Sequence, residues 1–258
     1  MKMIKKLKAG FFGVSGDAGC LLTVLYEDVF MEITKLLDIK SFPLIKESEY
    51  NGKFDIIFIE GTVVFDEDLK ILKELREKTK ILVALGSCAC FGGVPSIKNF
   101  LDEDELKRIV YPKLNNKNFI NPTPLNKHVK VDYYIPQCPP NKDEIINFIK
   151  DLLKNKIPKK YEDPVCVECR TKNNVCLLEL GKPWLGPITN GGCDAICPSN
   201  KITCYGCRGP TNDLNLKAHI ELLEEKGFNL TAIEQRMETF SGLEFEEELE
   251  KISKWLEQ

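Results

Sequence analysis

The sequence predicts an α/β fold: a parallel sheet wrapped by helices, then a loop-rich segment, then a helical tail. Three observations carry this. Short apolar runs alternate with amphipathic stretches through the first half, and each run ends in a turn bearing Gly, Ser or Pro. The 11 cysteines also divide the chain: Cys20, Cys88, Cys90 and Cys138 are scattered, whereas seven crowd between Cys166 and Cys207.

The first strand is Lys8–Val14, an apolar run ending in a Gly/Ser turn. Cys20–Leu37 follows with Leu21, Val24, Leu25, Phe30, Ile33 and Leu37 at helical spacing. Phe54–Glu60, closed by Gly61, has the unbroken apolar character of a strand buried on both faces. Asp66–Lys78 reads as a charged amphipathic helix with Asp66 as its N-cap. Ile81–Leu85 is a further strand, closing on Gly86-Ser87-Cys88. Val129–Ile135 is a fourth, closing on Gln137-Cys138-Pro139-Pro140, and Asp143–Leu153 is the next helix. Repeated strand–helix units pack as a parallel sheet with helices on both faces. Cys20, Cys88 and Cys138 each follow the C-terminal end of a predicted strand, the edge at which open α/β sheets bind ligands. These three thiols are expected to converge.

Ile157–Pro164 carries lysine and proline and reads as a linker. Cys166–Pro210 is irregular and rich in Gly, Pro and Cys, a composition expected to need something other than a core to hold it together. Asp213–Lys226, Leu230–Phe240 and Glu244–Leu256 are predicted as three terminal helices.

Composition narrows the class. At 258 residues, 36 Lys and Arg face 39 Asp and Glu for a net charge of −3, which offers nucleic acid no basic footprint. The lysines near the N-terminus (Lys2, Lys5, Lys6, Lys8) read as a solvated basic end. No apolar stretch is long enough to span a membrane. Ala9–Val14 is too short for a signal core, and the first arginine is Arg76, so no twin-arginine leader is read. A cytoplasmic location is expected. Disulfides are disfavoured there, so this many cysteines argue for metal.

The crowded thiols read Cys166-x2-Cys169, Cys176, Cys193-x3-Cys197, Cys204-x2-Cys207. Thiolates suit iron and sulfide, usually four per cubane, and paired CxxC is equally a zinc-ribbon signature. Seven thiols fit neither one four-cysteine site nor two, and both metals stay open on spacing alone.

The run Cys166-Val-Glu-Cys-Arg, Val-Cys-Leu-Leu-Glu-Leu-Gly-Lys-Pro-Trp-Leu-Gly-Pro-Ile-Thr, Gly-Cys-Asp-Ala-Ile-Cys-Pro and Thr-Cys-Tyr-Gly-Cys207 resembles the cluster domain of nickel–iron hydrogenase small subunits. Ile59-Glu60-Gly61, Gly86-Ser87-Cys88-Ala89-x-x-Gly92-Gly93 and Cys138-Pro139-Pro140 resemble that family's first domain. The likeness runs in order over nearly the whole chain, and is strongest to the delta subunits of archaeal cytoplasmic sulfhydrogenases, with methanogen cytoplasmic hydrogenases also related.

The resemblance implies a flavodoxin-like domain over residues 1–156 with a proximal iron–sulfur cluster, a ferredoxin-like cluster domain over 157–212 and a helical tail over 213–258. It implies Cys20, Cys88, Cys138 and the residue three before Cys20 as proximal ligands; that residue is Asp17, where the family has cysteine. Relatives that reduce a deazaflavin coenzyme also carry an aspartate among these ligands, at the other position of the pair. An N-capping role for Asp17 is the competing reading. Cys193, Cys197, Cys204 and Cys207 match a complete medial set. Cys166, Cys169 and Cys176 match three distal ligands, but the fourth distal position is Trp184, which offers only an N–H donor. The distal site would then hold a 4Fe–4S or 3Fe–4S cluster, borrow a carboxylate such as Glu168 or Glu179, or be lost.

Cys90 lies where the family has no ligand and reads as a buried small hydrophobe. Glu60 is expected either near the proximal cluster or in a simple capping role, and His128 and His219 as surface or packing residues. No bond-making residue is implied in this chain. Its task would be one-electron relay between a nickel–iron large subunit and a flavin-containing, coenzyme-reducing or ferredoxin-like subunit. Two other classes compete: a relay whose large partner lacks nickel–iron chemistry, and a zinc-stabilised interaction module.

Overall fold

A computed structural model describes residues 6–46, 50–102 and 119–256, together with 104, 106 and 108; for 119–120, 247–249 and 251–256 it describes the backbone alone. Five parallel strands form one sheet: β1 (Leu7–Gly13), β2 (Leu37–Ser41), β3 (Phe54–Glu60), β5 (Thr79–Leu85) and β7 (Tyr133–Ile135). Their order across the sheet is β2-β1-β3-β5-β7. That is the doubly wound, flavodoxin-like order, in which the chain leaves β1 for one edge and returns past it to β3. The pairing of β4 (Val63–Phe65) with β6 (Phe119–Thr123) makes a small antiparallel appendage.

Both faces of the sheet are covered. On one, Phe11, Ile56, Phe58, Val83 and Leu85 pack against α1 (Gly19–Val24), α2 (Glu27–Leu36) and a helix over Lys142–Leu153 through Val24, Val29, Ile33, Ile145 and Ile149. On the other, Ile57, Ile59, Leu82 and Ala84 meet Leu72 and Leu75 of α3 (Asp66–Glu77), together with Cys90 from α4 (Ser87–Phe91) and Leu125. Phe58 is central, with no exposure and its ring stacked on Phe11 at 4.8 Å between centroids. Numbering then continues with α5 (Lys142–Leu153), α6 (Val165–Thr171), α7 (Ile196–Ser199), α8 (Leu216–Glu225) and α9 (Leu230–Leu256).

Several sequence expectations change. The single helix over Cys20–Leu37 is two helices, because Tyr26 adopts an extended conformation (φ −53°, ψ 135°) and restarts the chain direction. Leu37, expected to end that helix, opens the edge strand β2 instead. Asp66 is the first helical residue of α3, not its cap. The capping carboxylate is Asp68, whose Oδ2 accepts the N–H groups of Val64 (3.0 Å) and Phe65 (2.9 Å) and the Ser15 hydroxyl (2.8 Å). Of Val129–Ile135 only the last three residues pair as a strand. The helical run of α9 is broken at Ser241 (φ −142°, ψ 30°), so the two predicted tail helices are its halves.

The loop-rich segment has a core after all. Val165, Leu177, Trp184, Leu185 and Ile188 bury against Leu216, Ile220, Leu223, Ile233, Met237 and Phe245 of the tail. Its own apolar residues are too few and too irregularly spaced to announce a core, and the amphipathic tail completes it.

Phe58→Ala is expected to destabilise the protein by about 3–5 kcal/mol, the usual cost of truncating a buried phenylalanine. A fall in thermal midpoint beside an unchanged Met31→Ala, at a position 54% exposed, is the check.

Candidate metal centres

The sequence-predicted proximal residues gather at the carboxyl edge of the sheet. Cys20 lies in the first turn of α1 after β1, Glu60 ends β3, Cys88 opens α4 after β5, and Cys138 follows β7. Two glycines make the approach possible. A Cβ on Gly86 (φ 88°) would overlap the Cys20 sulfur, and one on Gly93 (φ 60°) would overlap the Cys88 sulfur.

These groups share one electrostatic field. Burial first, then the negative charges of Glu60, Cys88, Cys138 and Asp17, pushes the Cys20 thiol far above its usual range. Cys88 is pushed up to about 12 by burial and by the charges of Cys138 and Glu60, opposed by the Val94 N–H. Cys138 is raised by burial, Asp17 and Glu60. Glu60, 3% exposed, is raised to about 7 by burial and then by Asp17, although the N–H groups of Ala18 and Cys20 and the Cys20 side chain favour its charge. Asp17 is exposed, and its Oδ1 accepts the Gly19 N–H at 2.8 Å. This is a helix-start bond made by one oxygen of a carboxylate that also faces the three thiols.

A second group forms in the loop-rich segment. Cys193, Cys197, Cys204 and Cys207 influence one another, and burial is the main cause of the upward shift in each. Cys207 stands at about 12 and Cys204 higher still. N–H donors point at these sulfurs: Gly206 at Cys204 (3.5 Å) and Cys138 at Cys207. Glu168, a candidate for completing the distal set, belongs here. Its Oε1 accepts from Gly192 N at 2.5 Å and its Oε2 from Ala195 N at 3.0 Å, so both oxygens are spent holding the Cys193 loop.

The two groups meet along a seam. Cys207 O accepts from Gln137 N (3.1 Å) and Ser87 Oγ (2.6 Å), and Gln137 O accepts from Ser87 N (3.2 Å). Arg208, the next residue, has a side chain 2% exposed and grips Glu144 of α5 with both Nη atoms, at 2.7 and 3.0 Å. It also donates to Gln137 Oε1 (3.2 Å) and Gly191 O, and lies 5.2 Å from the Tyr161 ring.

The third group is Cys166, Cys169 and Cys176. Burial raises the Cys166 thiol, and the Trp184 indole N–H, 3.1 Å from its sulfur, opposes the shift. Trp184 is 2% exposed. Asn174 Nδ2 approaches Cys169 Sγ at 3.6 Å. Glu179 is exposed.

His219 takes the packing place, one of the two the sequence reading gave it. It is 4% exposed, its ring hydrogen-bonds the Trp184 backbone carbonyl, and its Nε2 has no partner among the described residues. Leu216, His219, Ile220 and Leu223 form a helical stripe, which was the available signal. Cys90 is 1% exposed with its sulfur toward Ala84 O, and His128 Nε2 lies 2.8 Å from Thr123 Oγ1.

No three His, Cys, Asp or Glu side chains among the described residues close on a single-ion position. The donor chemistry nonetheless suits a larger thiophilic group. Buried thiols become ligands only as thiolates, and a strongly positive neighbour such as iron is what reverses the cost of burying that charge. Backbone and indole N–H groups aimed at sulfur are the hydrogen bonds that tune such clusters.

Residues 18–152 match the family described as NADH ubiquinone oxidoreductase, 20 Kd subunit. The chain is 35% identical to the sulfhydrogenase 2 subunit delta of Pyrococcus furiosus, over 85% of this chain and 93% of that one. It is 34% identical to a vhu subunit of the F420-non-reducing hydrogenase of Methanocaldococcus jannaschii, over 80% and 83%. A solved chain of an NAD+-reducing nickel–iron hydrogenase superposes with a TM-score of 0.54 at 27% identity, covering 60% of this chain and 96% of that one. The chain belongs to the nickel–iron hydrogenase small-subunit family. Another relative, from Archaeoglobus profundus, is named an iron–sulfur subunit. No helix of this small subunit's described residues is long and apolar enough to cross a membrane.

Arg208→Met would strand the Glu144 carboxylate, 11% exposed, inside this small subunit. A loss of about 3–5 kcal/mol is expected, with a smaller loss in the Arg208→Met, Glu144→Gln double variant; denaturation midpoints of the three proteins test it. For His219, burial holds the imidazole down at about 4. Its stabilising contribution is therefore complete above about pH 6.5 and withdrawn as pH falls toward 4, by up to roughly 3 kcal/mol. His219→Gln should remove that slope, read as the difference between the wild-type and variant stability curves over this range.

Proposed function

We propose that this chain is the electron relay of a cytoplasmic nickel–iron hydrogenase complex, carrying iron–sulfur clusters at three sites. Asp17, Cys20, Cys88 and Cys138 would hold the proximal cluster, and Cys193, Cys197, Cys204 and Cys207 the medial cluster. Cys166, Cys169 and Cys176 would hold the distal cluster. The carrying observation is the seam: Cys138 N–H points at the Cys207 sulfur, while the Cys207 carbonyl is tied to Gln137 and Ser87. It brings a ligand of one proposed site directly against a ligand of the next.

When bound, the clusters supply the one-electron chemistry. The chain's residues do the rest. Thiolates hold the irons, N–H donors adjust the charge at sulfur, and the packed cores exclude water. Beside the proximal residues Leu22, Tyr26 and Val94 are 54%, 63% and 46% exposed. An apolar surface of this kind at a redox site suits a partner, and by family likeness that partner is the nickel–iron large subunit. The distal end would face a flavin-containing, coenzyme-reducing or ferredoxin-like subunit. The division at residues 1–156, 157–212 and 213–258 is part of the same proposal.

The complex, purified without air, should contain nickel and inorganic sulfide, with about 11 or 12 irons per small subunit beyond those its partner subunits hold, and should show several reduced-state paramagnetic signals. Cys207→Ser should remove one of these and leave the others. Zinc without sulfide in a colourless protein would support the interaction-module reading, and clusters without nickel would support a relay serving a different large partner.

A further inference from the structure

We infer that the distal site holds a three-iron, four-sulfide cluster on Cys166, Cys169 and Cys176, with Trp184 serving as a hydrogen-bond donor to Cys166 in place of a fourth ligand. This deepens the relay reading and rests on it.

The argument is an account of the donors around these three thiols. A four-iron cubane asks one protein donor for each iron, whereas a three-iron cluster asks for three. The thiols supply three. Trp184 is buried and directs its indole N–H at the Cys166 sulfur at 3.1 Å, and an indole nitrogen has no lone pair to give iron. Glu168 has both oxygens engaged by Gly192 and Ala195. Lys182, on the same loop, donates its ammonium to Lys201 O at 3.1 Å. Asn174 presents its amide N–H₂, not its oxygen, to Cys169. The side chains seen at the Cys166 and Cys169 sulfurs, Trp184 and Asn174, are therefore donors of hydrogen, not of electron pairs.

A cluster held by these three thiolates would supply one-electron chemistry, all three irons being ferric when oxidised, with its electron exchanged with the neighbouring sites of the proposed relay and no bond made or broken in this chain. The oxidised form has an odd number of d electrons and is paramagnetic, while an oxidised four-iron cluster of the ordinary charge has an even number and is silent. The Trp184 N–H stabilises the added negative charge and so favours the reduced form.

The test uses the whole complex, purified without air and then mildly oxidised. Wild type should show a paramagnetic signal from one cluster and, with the iron of the separated partner subunits subtracted, about 11 irons per small subunit. Trp184→Cys supplies a fourth thiolate, so the oxidised signal should vanish and the count should rise to about 12. Trp184→Phe keeps the bulk and loses the N–H; the signal should persist, with the oxidised-to-reduced ratio at fixed potential raised about tenfold, a downward shift of about 59 mV. An unmoved couple would overturn the role given to the indole.

Asp17→Cys should leave the oxidised signal intact. Its loss there would place three irons at the proximal site and overturn the assignment. A silent oxidised wild type with about 12 irons so counted would also overturn it. Reduced-state signals of the proximal and medial clusters report the relay reading separately. Their presence with about eight irons sinks this inference alone, and their absence sinks both.

Discussion

Cys207 is held from two directions, and the joining of the two halves depends on that. Its carbonyl is bound by Ser87 and Gln137 from the sheet domain, while its sulfur receives the N–H of Cys138. Arg208 follows at once and anchors the same turn to Glu144 across the boundary. A buried guanidinium is tolerable only when its donors are met, and here a carboxylate, two carbonyls, an amide oxygen and an aromatic face meet them. The same contacts fix the spacing between the sheet-edge thiols and those of the loop-rich segment.

The thiols impose a second requirement. Sulfurs at the sheet edge and in the loops are buried beside acidic neighbours, so the polypeptide by itself resists their ionisation. Proteins seldom gather buried acids without a cation to answer them. The surroundings are built to suit anionic sulfur nonetheless, with N–H groups from Val94, Ala195, Gly206, Cys138 and Trp184 directed toward it. That combination belongs to a site for a positively charged inorganic group and connects the fold to a redox task.

Much of this was legible in one dimension. The strands β1, β3 and β5 announce themselves because strands buried on both faces are continuously apolar, and α3 and α5 because their faces alternate at helical period. The short β7 and the edge strand β2 were less visible, since a half-covered edge strand with Asp38 and Lys40 in it looks like the end of a helix. The core of the loop-rich segment could not be read locally. Half of it comes from the tail, and contacts between distant segments leave no periodic trace in either. Glu168 was misjudged for a related reason: whether a carboxylate is free depends on which backbone N–H groups the fold brings to it.

The sequence by itself determined the class of sheet and, through its motifs, the family, because hydrophobic period and motif spacing are local properties written directly in residue order. The tertiary structure alone decided which thiols become neighbours across the seam, that Glu60 joins the proximal group, and that His219 is buried behind Trp184. Those outcomes depend on how separate elements pack, and packing is settled by the summed burial and hydrogen bonding of the whole chain.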